Sequence, residues 1–239
     1  FNGIRVEGPF STGCEKFKST TTDVPSSYDW RDHNAVNPVK NQGQCGSCWS
    51  FSATGAMEGA WAISKGSLVS LSEQQLVDCS KSYGNHGCNG GLMDGAFQYA
   101  IDNGMCQESE YSYTAKSGTC TDCKPVVFIS SCVDVTPKNE VDLEKAVAIG
   151  PVSVAIEADT KTFQMYKSGV ITGSACGTNL DHGVLVVGYG TESTTPYWLV
   201  KNSWGATWGE DGYVKIEKSS STNTDGTCGI AIQPSYPVV

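Results

Sequence analysis

The chain has 239 residues, of which 39% are apolar, 10% aromatic and 17% charged. That composition buries a core and excludes a disordered chain. Sixteen basic against 25 acidic side chains leave a net charge of −9 with no basic cluster, so neither nucleic acid nor an anionic membrane surface is an expected partner.

No apolar run of 18 residues occurs, and no membrane-spanning helix is expected. A chain that starts at Phe1 without a signal-peptide pattern reads as a processed or trimmed product. Eleven cysteines and 27 glycines point to an oxidising compartment. Because eleven is odd, five disulfides leave one thiol over, and a lone thiol among disulfides is a liability or a nucleophile.

In chain order, residues 1–23 are rich in Ser, Thr and Gly without a helical or strand period, and read as an extended arm. From Cys48 to about Lys65 small and apolar residues run without proline, which predicts a largely buried helix stopped at Gly66. Ser72-Glu73-Gln74-Gln75 is a capped helix start, and Leu92 to Ile101 predicts a third helix closed by Asn103-Gly104. Asp142 to Ile149 predicts one more. Beyond Pro151 the pattern is strand-like: Val152 to Ile156, Val184 to Tyr189, Tyr197 to Val200 and Tyr213 to Ile216. Helices first and strands later, without alternation, predict an α+β protein with a helical half, a sheet-rich half and a ligand cleft between them.

The segment Gln42-Gly43-Gln44-Cys45-Gly46-Ser47-Cys48-Trp49 precedes the long helix and sets Cys48 at its N-terminus. Unpaired N–H groups and the helix dipole favour thiolate there, so a lowered thiol pKa is expected. Of three histidines, His33 and His86 lie in polar turns, whereas His182 stands at the mouth of an apolar strand. Asn202 follows another strand and can orient the His182 imidazole without carrying charge. Cys, His and Asn in that order make a nucleophile, a base and an orienter. Cys45 and Cys48 also fit a redox pair, and Cys120 and Cys123 repeat the spacing. No βαβ pattern flanks Cys45, and zinc would compete with disulfide formation, so neither a redox function nor a metal is expected.

With these residues in place, the chain resembles the papain-like cysteine proteases, nearest to the cathepsin L-type endopeptidases. The resemblance covers Val24 to Val239. It rests on Cys45-Gly46-Ser47-Cys48-Trp49 with a His and an Asn 134 and 154 residues downstream of Cys48. It rests also on Asp29-Trp30-Arg31, Cys88-Asn89-Gly90-Gly91, Gly150-Pro151-Val152-Ser153, Asn202-Ser203-Trp204-Gly205, Trp208-Gly209 and Ser235-Tyr236-Pro237.

The resemblance implies a two-lobe α+β fold. After an arm at 1–23, 24–135 would form the helical left lobe and 136–239 a β-barrel-like right lobe, with the cleft between the two. It implies that Cys48 attacks the scissile carbonyl, His182 protonates the leaving amine, Asn202 holds the ring and Gln42 donates to the oxyanion, with Cys48 and His182 resting as thiolate and imidazolium. Gly90 and Gly91 with the Asp181 carbonyl would pair with an extended peptide, and Trp204 would shield the Asn–His contact.

Leu92, Met93, Ala155, Leu180, Gly183 and Gln233 would line the pocket for the side chain two residues before the cut. A bulky apolar side chain is expected there, with the Gln233 amide as the departure from a purely apolar lining. Cys45–Cys88, Cys79–Cys120 and Cys176–Cys228 match the family's bridges. Cys14, Cys106, Cys123 and Cys132 allow three pairings, of which Cys106–Cys123 with Cys14–Cys132 is preferred.

The expected partners are protein and peptide substrates, with cystatin-like or propeptide inhibitors. A monomer is expected, secreted or in a lysosome or vacuole, and no cofactor. The arm would be a propeptide remnant or an extension that leaves the enzyme active or nearly so. The alternative is a catalytically silent homologue serving as a peptide-binding or storage protein.

Overall fold

The fold is taken from a computed structural model that describes residues 3–4, 13–20 and 23–239. In chain order, β1 (Glu15–Lys16) and β2 (Tyr28–Asp29) precede three helices, α1 (Cys48–Lys65), α2 (Glu73–Cys79) and α3 (Met93–Asn103). There follow β3 (Ser131–Asp134), α4 (Glu140–Val147), β4 (Val152–Ile156), the single turn α5 (Lys161–Gln164) and β5 (Val170–Ile171). The chain closes with β6 (His182–Glu192), β7 (Thr195–Lys201), β8 (Tyr213–Glu217) and β9 (Ser235–Val238). Among the described residues nine strands form one sheet in the order β1-β3-β9-β4-β6-β7-β8-β5, with β2 on β6. The architecture is α+β.

Local chemistry explains the helix ends. α1 is apolar or small on nearly every side and is buried along most of its length. It stops where Gly66 takes the left-handed conformation at φ 74°. Ser72 Oγ accepts from the Gln75 N–H and caps α2. The helix expected from Asp142 begins two residues earlier, because Asn139 Oδ1 accepts from the Asp142 N–H and so sets the cap. β1, β3, β5, β9 and α5 have two to four residues each, too few to display a period in sequence. The arm, expected to be merely extended, docks through β1 along β3 in parallel, with Glu15 opposite Val133.

Two buried cores meet at β6. One gathers Trp49, Met57, Leu76 and Phe97 from the three large helices, and the other Val154, Phe163, Trp198 and Ile216 from the sheet side. Alternation along β6 sends Leu185 and Val187 into the first and Val184 and Val186 into the second. α1 lies close on this strand: a Cβ at Gly55 would come within 2.7 Å of Leu185 Cδ2. Ser52 Oγ donates to Val184 O at 2.7 Å, and Ser153 Oγ donates to Ser52 O at 3.1 Å. These bonds fix the start of α1 against the starts of β6 and β4, where the site lies.

Disulfides join Cys14–Cys132, Cys45–Cys88, Cys79–Cys120, Cys106–Cys123 and Cys176–Cys228, and Cys48 is the free thiol. No helix among the described residues is long and apolar enough to cross a membrane.

Candidate active site

Cys48 is the first residue of α1 and is wholly buried. Its sulfur accepts from the Gly183 N–H at 3.3 Å, which joins the helix start to the first residues of β6. β6 and β7 pair with Leu185 opposite Lys201, and this register returns Asn202 beside His182. Asn202 Oδ1 lies 2.7 Å from His182 Nε2 and also accepts from the Ser203 N–H at 2.8 Å. Since the backbone donor identifies that atom as the oxygen, His182 Nε2 carries a proton toward it, which leaves Nδ1 as the nitrogen able to take up or release one. Nδ1 has no hydrogen-bond partner among the described residues. Trp204 packs on the imidazole with ring centroids 4.9 Å apart, and Phe163 and Trp208 pack on Trp204.

Gln42 is buried and pinned at both ends of its amide. Nε2 donates to Cys45 O at 3.0 Å, and Oε1 accepts from Ser203 Oγ at 2.7 Å. Its backbone N–H donates to Ser203 O. Two residues earlier, Lys40 anchors the same loop by pairing with Glu73 of α2 at 2.7 Å and Glu58 of α1 at 3.4 Å, both buried. The Cys45–Cys88 bridge and the Gly46 N–H on Cys88 O fasten the loop to the segment carrying Gly90 and Gly91. Gly91 has no room for a side chain: a Cβ would lie 2.5 Å from Asn85 Oδ1 and 2.8 Å from the Trp49 ring.

This cleft is occupied by the chain itself. The Gly3 N–H donates to Cys48 Sγ at 3.2 Å, Gly3 O accepts from the Gly91 N–H at 2.8 Å, and the Ile4 N–H donates to Asp181 O at 3.1 Å. Ile4 is bridged to Gly91 in parallel. Its side chain lies with Met93 around Gly183, where a Cβ would meet Ile4 Cδ1 and Met93 Sδ, each at 3.2 Å. Met93 and Ala155 are buried, while Leu92, Leu180 and Gln233 keep partial exposure. His33, stacked on Tyr28, and His86 are exposed and stand apart from this constellation.

The expected low thiol pKa is not what the covered site produces. Burial pushes Cys48 up to about 11 against the opposing pull of the Gly183, Gly3 and Trp49 amides, and it pushes His182 down to about 4 despite Asn202. With the arm in place burial therefore works against charge on both groups, opposing the thiolate and the imidazolium alike.

Gly3 and Ile4 were not among the expected site residues, because a Gly-Ile dipeptide in an irregular arm carries no local signal. Ser203, seated on Gln42, stands in sequence only as one member of the Asn202-Ser203-Trp204-Gly205 motif. Asn85, whose Oδ1 accepts from the Leu92 N–H at 2.9 Å, sits in a turn that reads as loop. The Tyr113 hydroxyl, 2.6 Å from both Gln42 O and Ser47 Oγ, belongs to a stretch without period.

Comparison with known proteins places this geometry. The family model described as papain family cysteine protease matches residues 24–238. The germination-specific cysteine protease 1 of Arabidopsis thaliana is 54% identical over 220 residues, spanning 90% of this chain and 58% of the relative. A cathepsin L-like peptidase of Aedes aegypti is 51% identical over 243 residues, spanning 99% and 69%. Among solved structures, the proform of the ragweed pollen cysteine protease Amb a 11 is similar with a TM-score of 0.88 and 45% identity, covering 92% of this chain and 67% of that one. The chain spans about half to two-thirds of the length of the curated relatives it matches.

Proposed function

Because the chain belongs to the papain family of cysteine proteases, we propose that it is an endopeptidase that cuts peptide bonds through a thioester on Cys48. The observation that carries this reading is the peptide already in the cleft. Gly3 and Ile4 add to the walls by backbone bonds to Gly91 and Asp181 and lay an apolar side chain against Met93, a β-augmentation mode. The Gly3 N–H faces the sulfur, so the arm occupies the cleft where a substrate backbone would lie.

Departure of the arm admits solvent and lets the Cys48 proton pass to His182 Nδ1. The thiolate then attacks the scissile carbonyl carbon, and the resulting oxyanion takes hydrogen bonds from Gln42 Nε2 and the Cys48 N–H. Collapse breaks the C–N bond, and His182 gives its proton to the leaving amine while Asn202 and Trp204 hold the ring. Water, deprotonated by His182, hydrolyses the thioester to a carboxylate and frees Cys48.

Leu92, Met93, Ala155, Leu180, Gly183 and Gln233 line the pocket for the side chain two residues before the cut, with Leu or Phe preferred and Gln233 admitting a polar end. The lobe boundaries, with 24–135 carrying the nucleophile and 136–239 carrying His182 and Asn202, belong to the same proposal. So do monomeric working, inhibition by a propeptide or cystatin-like protein, and a secreted or lysosomal/vacuolar setting suited to five disulfides.

The test is intact-mass analysis of the unreduced protein after iodoacetamide, beside turnover of a Phe-Arg peptide amide at about pH 5.5. A single adduct on Cys48 with loss of cleavage is expected. Cleavage that survives a Cys48→Ala substitution would overturn the assignment.

A further inference from the structure

Serine at a helix N-cap ordinarily turns its hydroxyl onto an N–H of the first turn. Ser47 sits at the N-cap of α1 and makes no such bond. Its Oγ instead lies 2.6 Å from the Tyr113 hydroxyl, which is also 2.6 Å from Gln42 O. A carbonyl only accepts, so the single phenolic proton goes to Gln42 O, and Ser47 donates to the phenol oxygen. One hydroxyl therefore grips both ends of the loop that carries the two oxyanion donors: Gln42, and Cys48 immediately after Ser47.

The loop between them contains no regular structure beyond an isolated bridge from Gly46 to Asn89, so no helix or strand sets the separation of those donors. Tyr113 is itself held. Its ring stands edge-on to Phe51 of α1 with centroids 4.9 Å apart, and its N–H donates to Glu108 Oε1 at 2.9 Å. Burial pushes its phenol up to about 12, so it remains a donor throughout the range in which such an enzyme works.

We propose that Tyr113 is a positioning residue for peptide hydrolysis, its hydroxyl fixing Gln42 Nε2 relative to the Cys48 N–H. The proposal rests on the endopeptidase reading above. It places the effect on the step where charge builds on the carbonyl oxygen, and leaves the making of the nucleophile to Cys48, His182 and Asn202.

The experiment uses the full chain and compares wild type, Tyr113→Phe, Gln42→Ala and the double variant. It follows kcat and KM on the Phe-Arg amide, the pH profile, and the rate of Cys48 alkylation by iodoacetamide, a reaction that builds no oxyanion. Tyr113→Phe is expected to lower kcat about tenfold, with KM, the alkylation rate and the profile's shape unchanged. In the Gln42→Ala background it should cost less than about threefold more, since the group it positions is gone. Ser47→Ala, which leaves the bond from Tyr113 to Gln42 O intact, should cost less than Tyr113→Phe.

Wild-type cleavage matched by Tyr113→Phe would overturn this inference alone, as would losses that multiply in the double variant or alkylation that slows in step with turnover. A chain that cleaves nothing even when Gly3→Ala has cleared the arm from the cleft would overturn the endopeptidase reading and this inference with it.

Discussion

The Gly3 N–H donates to Cys48 Sγ at 3.2 Å, and the same residue is wedged against the nucleophile loop so tightly that a Cβ on it would lie 2.0 Å from Gly46 O. The arm thus reaches the sulfur only because residue 3 is glycine. It follows that Gly3→Ala expels the dipeptide, rehydrates Cys48 and exposes it to the helix N-terminus that favours thiolate. Iodoacetamide at about pH 6 should then alkylate Cys48 at least about tenfold faster than in the wild-type chain, as read by intact mass. Equal rates would show that the arm does not shield the thiol in solution.

The arm is also stapled to the body. Beyond the Cys14–Cys132 disulfide it is held by the two-residue pairing of β1 with β3, an exposed Lys16–Asp134 pair at 3.5 Å, and Lys145 on Ser19 and Thr20. The exposed ion pair contributes only about 0–1 kcal/mol, and Phe17 against Tyr236 together with the Gly3 and Ile4 bonds in the cleft adds to the non-covalent hold. Cleavage at the exposed Lys18 should leave residues 1–18 attached at high effective concentration. The nicked chain should gain the mass of one water, lose no fragment and keep its slow alkylation until a small thiol reductant converts the disulfide to two thiols. In a Cys14→Ser, Cys132→Ser chain the same nick should release the fragment without reductant. Retention of the fragment in that double variant would show that the strand contacts suffice.

These relationships mark what the sequence could and could not disclose. α1 and the central strands are legible because their burial leaves unbroken apolar or alternating runs, and Cys48, His182 and Asn202 stand at the ends of those elements. The short strands are defined by partners far along the chain, Val133 for Glu15 and Tyr236 for Val133, so no local pattern announces them. The same holds for Gly3 on Cys48, Tyr113 on Gln42 and Ser203 on Gln42, contacts made across 45, 71 and 161 residues. The burial that opposes a Cys48 thiolate is hidden from sequence for a related reason: the helix N-terminus is visible there, whereas the cover over it is a tertiary fact.

Gly91 offers a test of the cleft wall. Its missing side chain makes room for Asn85, whose amide holds the Leu92 N–H and donates to Ser80 Oγ. Gly91→Ala forces a methyl into atoms at 2.5 and 2.8 Å, an overpacking that costs about 1–3 kcal/mol. It should also shift the N–H that pairs with a bound peptide. Urea unfolding should show the loss, and KM for the Phe-Arg amide should rise by about tenfold with a smaller change in kcat. An unaltered KM would remove Gly91 from the binding wall.

Asp94, in the first turn of α3, is buried with Oδ1 unpartnered among the described residues. Burial pushes its carboxyl up to about 6. Ser235 pulls it down, the nearby Asp134 carboxylate adds to the rise and Lys16 opposes it. A carboxyl raised in the folded state holds a proton that the unfolded chain, titrating near 3.8, has already lost. Folded protein therefore binds more protons between about pH 4 and 6, and this group lowers stability as pH rises through that window. A shift of about two units corresponds to about 3 kcal/mol at most. Asp94→Asn keeps an acceptor for Ser235 and removes the charge, so the variant should match wild type near pH 4, gain through pH 6 and hold a constant advantage of about 2–3 kcal/mol above it. Urea unfolding of both chains at pH 4 and pH 7, disulfides intact, reads this directly, and an equal gap at the two pH values would mean that Asp94 titrates as an ordinary surface carboxylate.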